Sequence, residues 1–161
     1  MTDNKRRFII YHPNGKGTGS AIDLKLIPAN GISDGSVVLT LAPQRDVASR
    51  EGKVMIFPTF EWADAIGLRL TAMDIGHVLS VLRGCEESIA DGLGLIHVTK
   101  EWRAKMTLEH VVEPVPAYRL TAFCKKNDGT EQKVGISLSH AEACVLESAL
   151  SASMGRICFG D

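Results

Sequence analysis

Polar and apolar positions alternate in short runs along this chain, and twice the alternation gives way to a helical period. In residues 66–70, Leu68 and Leu70 point one way and Arg69 the other, the period-two signature of a half-buried strand. Thr71 and Asp74 follow, three residues apart. A hydroxyl that caps a free N–H and an acid in the first turn mark a helix start. Ile75, Val78, Leu79 and Leu82 then recur at helical spacing, and Gly84 offers a stop. The same order returns at residues 134–150. Ile136 and Leu138 flank Ser137, Ser139 and Glu142 repeat the capping pattern, and Ala143, Leu146, Ala149 and Leu150 repeat the stripe. The offset is a constant 68 residues, with Gly67, Leu70, Ser80 and Leu82 matched by Gly135, Leu138, Ser148 and Leu150.

Strand-like runs precede each copy. "SAIDLKLIP", "SVVLTLAP" and "KVMIFPTFEW" lie before the first, and "GLIHVTKEW", "AKMTLEHVVEP" and "YRLTAFCKK" before the second. Asn127-Asp128-Gly129 is a strong hairpin turn. The pattern predicts an α+β fold of two β-β-β-β-α repeats in one chain. Antiparallel sheets would pack with two helices as an internal pseudo-dimer, because one unit alone leaves an apolar sheet face half covered. The repeats are expected at residues 8–84 and 93–152, with a polar, glycine-containing linker at 85–92, all within a single domain of residues 1–161.

Composition adds bounds. With 161 residues and 45% hydrophobic content, the chain is globular and of ordinary domain size. No apolar run approaches the ~20 residues of a membrane span, and the opening "MTDNKRRF" lacks the apolar stretch of a signal peptide. A cytoplasmic or nucleoid-associated location is expected. The four cysteines, Cys85, Cys124, Cys144 and Cys158, are widely spaced, which in a reducing compartment predicts free thiols, two of them in the core. The net charge of −1 argues against strong non-specific duplex binding. The charge is uneven, however: residues 93–138 hold seven Lys/Arg against five Asp/Glu, and residues 74–92 hold four acids and one Arg.

The alternation assigns faces. In "YRLTAFCKK", Tyr118, Leu120, Ala122 and Cys124 share one face, and Arg119, Thr121, Phe123 and Lys125 the other. Arg103, Lys105 and Thr107 oppose Ala104, Met106 and Leu108. In "KVMIFPTFEW", Lys53, Met55, Phe57 and Thr59 fall together, and Pro58, which cannot donate to a ladder, marks a bulge or edge that swings Phe60 or Trp62 to either side. Taken singly, these rings read as core residues and the cations as a solubility rim. Rings between cations on three strands suit a single-stranded nucleic acid, whose bases stack on aromatics while Lys and Arg follow the phosphates.

These stretches also carry a resemblance. "EGKVMIFPTFEWADAIGLRLTAMDIGHVL" and "KKNDGTEQKVGISLSHAEACVL" resemble the transcription coactivator positive cofactor four. The two-copy arrangement, with "GSVVLTLAPQ", "FEW" and "AEACVLESAL" in order, resembles the plant Whirly proteins over most of the chain. The resemblance implies two β-β-β-β-α units and largely sequence-independent binding of single-stranded DNA, in replication, recombination, repair or transcription. It also admits a homo-oligomer. It matches Lys53 and Trp62 to the family's strand lysine and stacking tryptophan, and sets Lys133 beside the family's basic pair, where Val134 replaces one member. The Whirly lysine-glycine-lysine motif is met only by Lys16 in "GKGTGSAI". The expected contact set is Lys53, Phe57, Trp62, Arg103, Lys105, Arg119, Phe123, Lys125 and Lys133.

Other chemistries find little footing. "NGKGTG" lacks the lysine-serine/threonine ending and the following helix of a phosphate loop. His12, His77, His97, His110 and His140 show no metal-ligand spacing, and Cys144 falls on the helix expected to be buried, which makes a poor nucleophile. No cofactor, metal or catalytic residue is expected. Two alternatives stand beside DNA binding: an RNA-binding or annealing protein of the same fold, and a protein-interaction or coactivator module.

Overall fold

The computed structural model describes residues 7–160. Four strands, β1 (Arg7–His12), β2 (Ser20–Ile27), β3 (Ser36–Pro43) and β6 (Ile66–Leu70), form one antiparallel sheet in that order. Strands β7 (Leu95–Val98), β8 (Trp102–Val111), β9 (Ala117–Lys126) and β10 (Glu131–Leu138) form a second, ordered β10-β9-β8-β7. Helix α1 (Ala72–Leu82) follows the first sheet and α2 (His140–Phe159) the second. The fold is α+β with antiparallel sheets and two helices, as the alternation predicts.

Both helices start where the sequence places them. Thr71 and Ser139 are extended N-caps whose hydroxyls accept from the N–H of Asp74 and Glu142, and each acid accepts from its cap's own N–H. Gly84, at φ +72°, follows the end of α1, a left-handed position that glycine adopts without strain.

The two sheets and two helices share one core. Leu24, Leu39 and Leu68 line up across the first sheet, Met106, Ala122 and Val134 across the second, and all are buried with Ile75 and Val78 of α1 and Leu146 and Leu150 of α2. Apart from the small Ala122, each of these side chains contributes roughly 1.5–3 kcal/mol by leaving water. The helices are tied by Arg83, which donates to Glu147 and Ser151 at 2.7 Å each. The sheets are tied by the Ser20 hydroxyl, which donates to the Gly135 carbonyl at 2.7 Å. Among the described residues, no helix is long and apolar enough to cross a membrane.

Two expectations are corrected. Residues 53–62 do not supply a strand of the first sheet. β2 and β6 flank β3, and the outer place beside β2 is taken by β1, a strand the pattern left unassigned. The stretch instead turns back through Gly52 and Lys53 into a small hairpin of β4 (Ser49–Glu51) and β5 (Val54–Ile56), exposed throughout. The cause is legible afterwards: Val54, Met55, Ile56 and Phe57 are four apolar residues in succession, so no polar face alternates, and Pro58 breaks the ladder. Lys53, Met55, Phe57 and Thr59 therefore do not form one face of a sheet strand. The second correction concerns the thiols. Only Cys124 is buried, and Cys144 is exposed. The buried line of α2 runs Ala143, Leu146, Leu150, Ser153, Ile157, and Cys144 stands one residue, about 100°, off it.

Candidate nucleic-acid interface

The register of the second sheet fixes what its outward face displays. Because side chains alternate, burying Ala104, Met106 and Leu108 on β8 and Leu120, Ala122 and Cys124 on β9 turns their neighbours outward. Cross-strand pairing then sorts the outward side chains into rows. Arg103, Lys125 and Glu131 form one. Lys105, Phe123 and Lys133 form the next, Thr107, Thr121 and Gly135 a third, and Glu109, Arg119 and Ser137 a fourth. Ile96 and Val98 of β7 extend the first two rows, opposite Lys105 and Arg103, and both are exposed.

The rows differ in charge balance. Arg119 is 3.3 Å from Glu109, and Lys125 is 3.0 Å from Glu131. Both are directly opposed partners, the geometry in which unlike charges stabilise a sheet. The Lys105–Phe123–Lys133 row contains no acid, and among the described residues neither lysine has a carboxylate partner. Neighbouring strands lie ~4.7–4.9 Å apart, so the half-buried ring has a lysine directly across on each neighbouring strand, the two lysine backbones about 10 Å apart. The threonine–glycine row beside it is uncharged and short-chained.

A second group of rings lies apart from this face. Gln132, which pairs with the buried Cys124 and so points away from the Lys133 face, donates to the Asp64 carbonyl and holds the segment after Trp62 against β10. Trp62, Phe60 and Tyr11 form a tilted chain, with ring centroids 6.5 Å apart for Trp62–Phe60 and 5.4 Å for Phe60–Tyr11. Phe60 is placed by its bridge to Gln44. Tyr11 is 53% exposed and Trp62 37%.

The nine residues singled out in the sequence thus divide. Arg103, Lys105, Arg119, Phe123, Lys125 and Lys133 share the outward face of the second sheet. Trp62 is not on that face; its ring meets Phe60. Lys53 is in the turn of the β4–β5 hairpin, and Phe57, 76% exposed, follows that hairpin. Sequence reading missed Tyr11 and Phe60 as partners of Trp62, because Tyr11 belongs to the unassigned β1. The run "RFIIYH" was the available signal.

The first sheet presents a different outer face. Asp23 is buried there and paired with Arg7. The Asp23 carboxylate is the largest cause of the raised Arg7 value, through its hydrogen bond and its charge. Arg69 donates to the Ser36 hydroxyl at 2.9 Å. Among the described residues, no cluster of three or more His, Cys, Asp or Glu side chains is arranged to hold a metal ion.

The sequence matches no protein-family model and no curated protein. Its architecture has solved counterparts. WHY1 of Arabidopsis thaliana superposes with a TM-score of 0.67 at 17% identity, over 94% of this chain and 86% of that one. WHY3 of the same plant gives 0.65 at 18% identity, over 95% and 90%. Both are Whirly proteins. Two four-stranded antiparallel sheets, each leading into a helix over one shared core, give this chain a Whirly-like fold.

Proposed function

We propose that this protein binds single-stranded DNA, with little sequence readout, across the outward face of the second sheet. The observation that carries the reading is the Lys105–Phe123–Lys133 row. A ring offers a stacking surface to any base, and the flanking ammonium groups meet the phosphates on either side. Arg103 lies next to Lys105 on the same face. The role is binding rather than catalysis. The Whirly-like fold agrees with this reading.

The deciding experiment is a fluorescence anisotropy titration with labelled oligo-dT. Saturable binding that weakens as salt rises is expected. No binding at low salt would overturn the proposal. Competition with a matched RNA strand tests the nucleic-acid class: RNA displacing the DNA at a lower concentration than unlabelled DNA would reassign the protein to RNA.

A further inference from the structure

The outward face does not end at its cation rows. Beyond the Glu109–Arg119–Ser137 row, Val111 and Ala117 form one more cross-strand pair of the same parity. There the face runs into a pocket of about 320 Å³ at the β8–β9 turn. Val111, Val115 and Pro116 give it apolar walls, Arg119 and Ser137 stand on its sheet side, and Glu113 lines it as well. The floor between this pocket and Phe123 is the threonine–glycine row. Gly135 carries no side chain and its partner Thr121 only a short one, so a chain can lie close to the sheet there. Arg119 is four residues from Phe123 along β9, about 13 Å at ~3.3 Å per residue.

We propose that this pocket takes one nucleobase turned out of the bound strand. The inference rests on the reading of the face as a single-strand site. Apolar walls suit the faces of a base, and the volume is that of a small-molecule niche. Glu113 decides which part enters. A carboxylate repels a phosphate and accepts a hydrogen bond from an exocyclic amino group, so the base goes in and its phosphate stays outside by Arg119. Arg119 then exchanges its exposed partner Glu109 for that phosphate, at little cost because exposed ion pairs are weak. The pocket favours amino-bearing bases over thymine.

The test uses a thymidine oligonucleotide with 2-aminopurine at every third position. This base carries an exocyclic amino group and brightens when it leaves the stack. Anisotropy reports binding, and 2-aminopurine fluorescence reports the pocket. Two variants close or open the niche: Ser137→Leu fills it from an exposed strand position, and Val115→Ser removes an exposed wall. The expected result is a several-fold fluorescence rise on saturating the wild type. That rise is lost in both variants while their affinity falls less than about tenfold, and it is retained by Phe123→Ala at saturation. Normal binding with no rise, or a rise that both variants keep, overturns the pocket and leaves the face intact. No binding by anisotropy overturns the face and the pocket together.

Discussion

Phe123 and Lys133 face each other as direct partners across β9 and β10, with Lys105 opposite Phe123 on its other side. A ring between two lysines that have no acidic partner among the described residues is the arrangement on which the functional reading rests. Replacing Phe123 with Ala should weaken oligo-dT binding by about 1–3 kcal/mol, the worth of one stacked base. The ring is only half-buried, so the stability loss should stay below the ~3–5 kcal/mol of a core Phe→Ala change. Affinity and melting temperature of this one variant decide the matter. A strongly destabilised protein that binds normally once folded would show that Phe123 is a packing residue.

The cations should not be equal. Among the described residues Lys105 and Lys133 have no acidic partner, whereas Lys125 already faces Glu131 at 3.0 Å. On a single strand each phosphate contact contributes about 0.7 to the slope of log K against log salt. Lys105→Ala and Lys133→Ala should each flatten the slope by roughly that amount, and Lys125→Ala by less. Equal slopes for all three variants would mean that the acid pairing has no bearing on binding.

The opposite face of β9 gives the complementary case. Leu120 is 1% exposed and its neighbour Thr121 points outward. Leu120→Ala should cost about 2–5 kcal/mol in denaturant unfolding, and Thr121→Ala a few tenths. Similar costs at both positions would contradict the register, since a one-residue slip exchanges the faces.

That register was legible because "YRLTAFCKK" alternates strictly and β8 alternates in step with it. Both helix starts were legible because capping boxes are local chemistry. What the sequence hid was pairing at a distance. β1 carries Phe8, Ile9 and Ile10 in succession, so no clean alternation announces a strand, and its place beside β2 depends on β2 having a free edge. The 53–62 stretch has strand-forming residues, yet it pairs with the sheet only at Phe60, which bridges Gln44 just past the end of β3. Tyr11 and Phe60 meet only because of those two outcomes. The exposure of Cys144 was readable from the helical phase of Ala143 and Leu146, once those are taken as the buried line.

The β4–β5 hairpin should be separable from the fold. Its six strand residues are all exposed, so replacing Val54 and Met55 with Thr should leave the unfolding midpoint within the ±0.5 kcal/mol typical of surface changes. Lys53→Ala and Phe57→Ala should reduce oligo-dT affinity less than Phe123→Ala does, because neither residue stands on the second sheet's face. A larger loss at Phe57 than at Phe123 would move the principal stacking site to the hairpin.

Burial pushes the Glu142 carboxyl up, but hydrogen bonds with His12, at 2.6 Å, and from the N–H and hydroxyl of Ser139, at 2.9 Å each, together bring it below its ordinary value. The folded state therefore favours the carboxylate. The stability it contributes is fully present above the ordinary glutamate value of about 4.3, and it fades as pH falls through the lower folded value. Glu142 also joins β1 to the start of α2, so the effect should appear in global unfolding. Glu142→Gln keeps the size and removes the titration. Denaturant midpoints of the two proteins should differ most near neutral pH and converge as the solution is acidified below the ordinary glutamate value. A difference that stays constant over that range would mean that the carboxylate's charge contributes nothing and that only its shape is used.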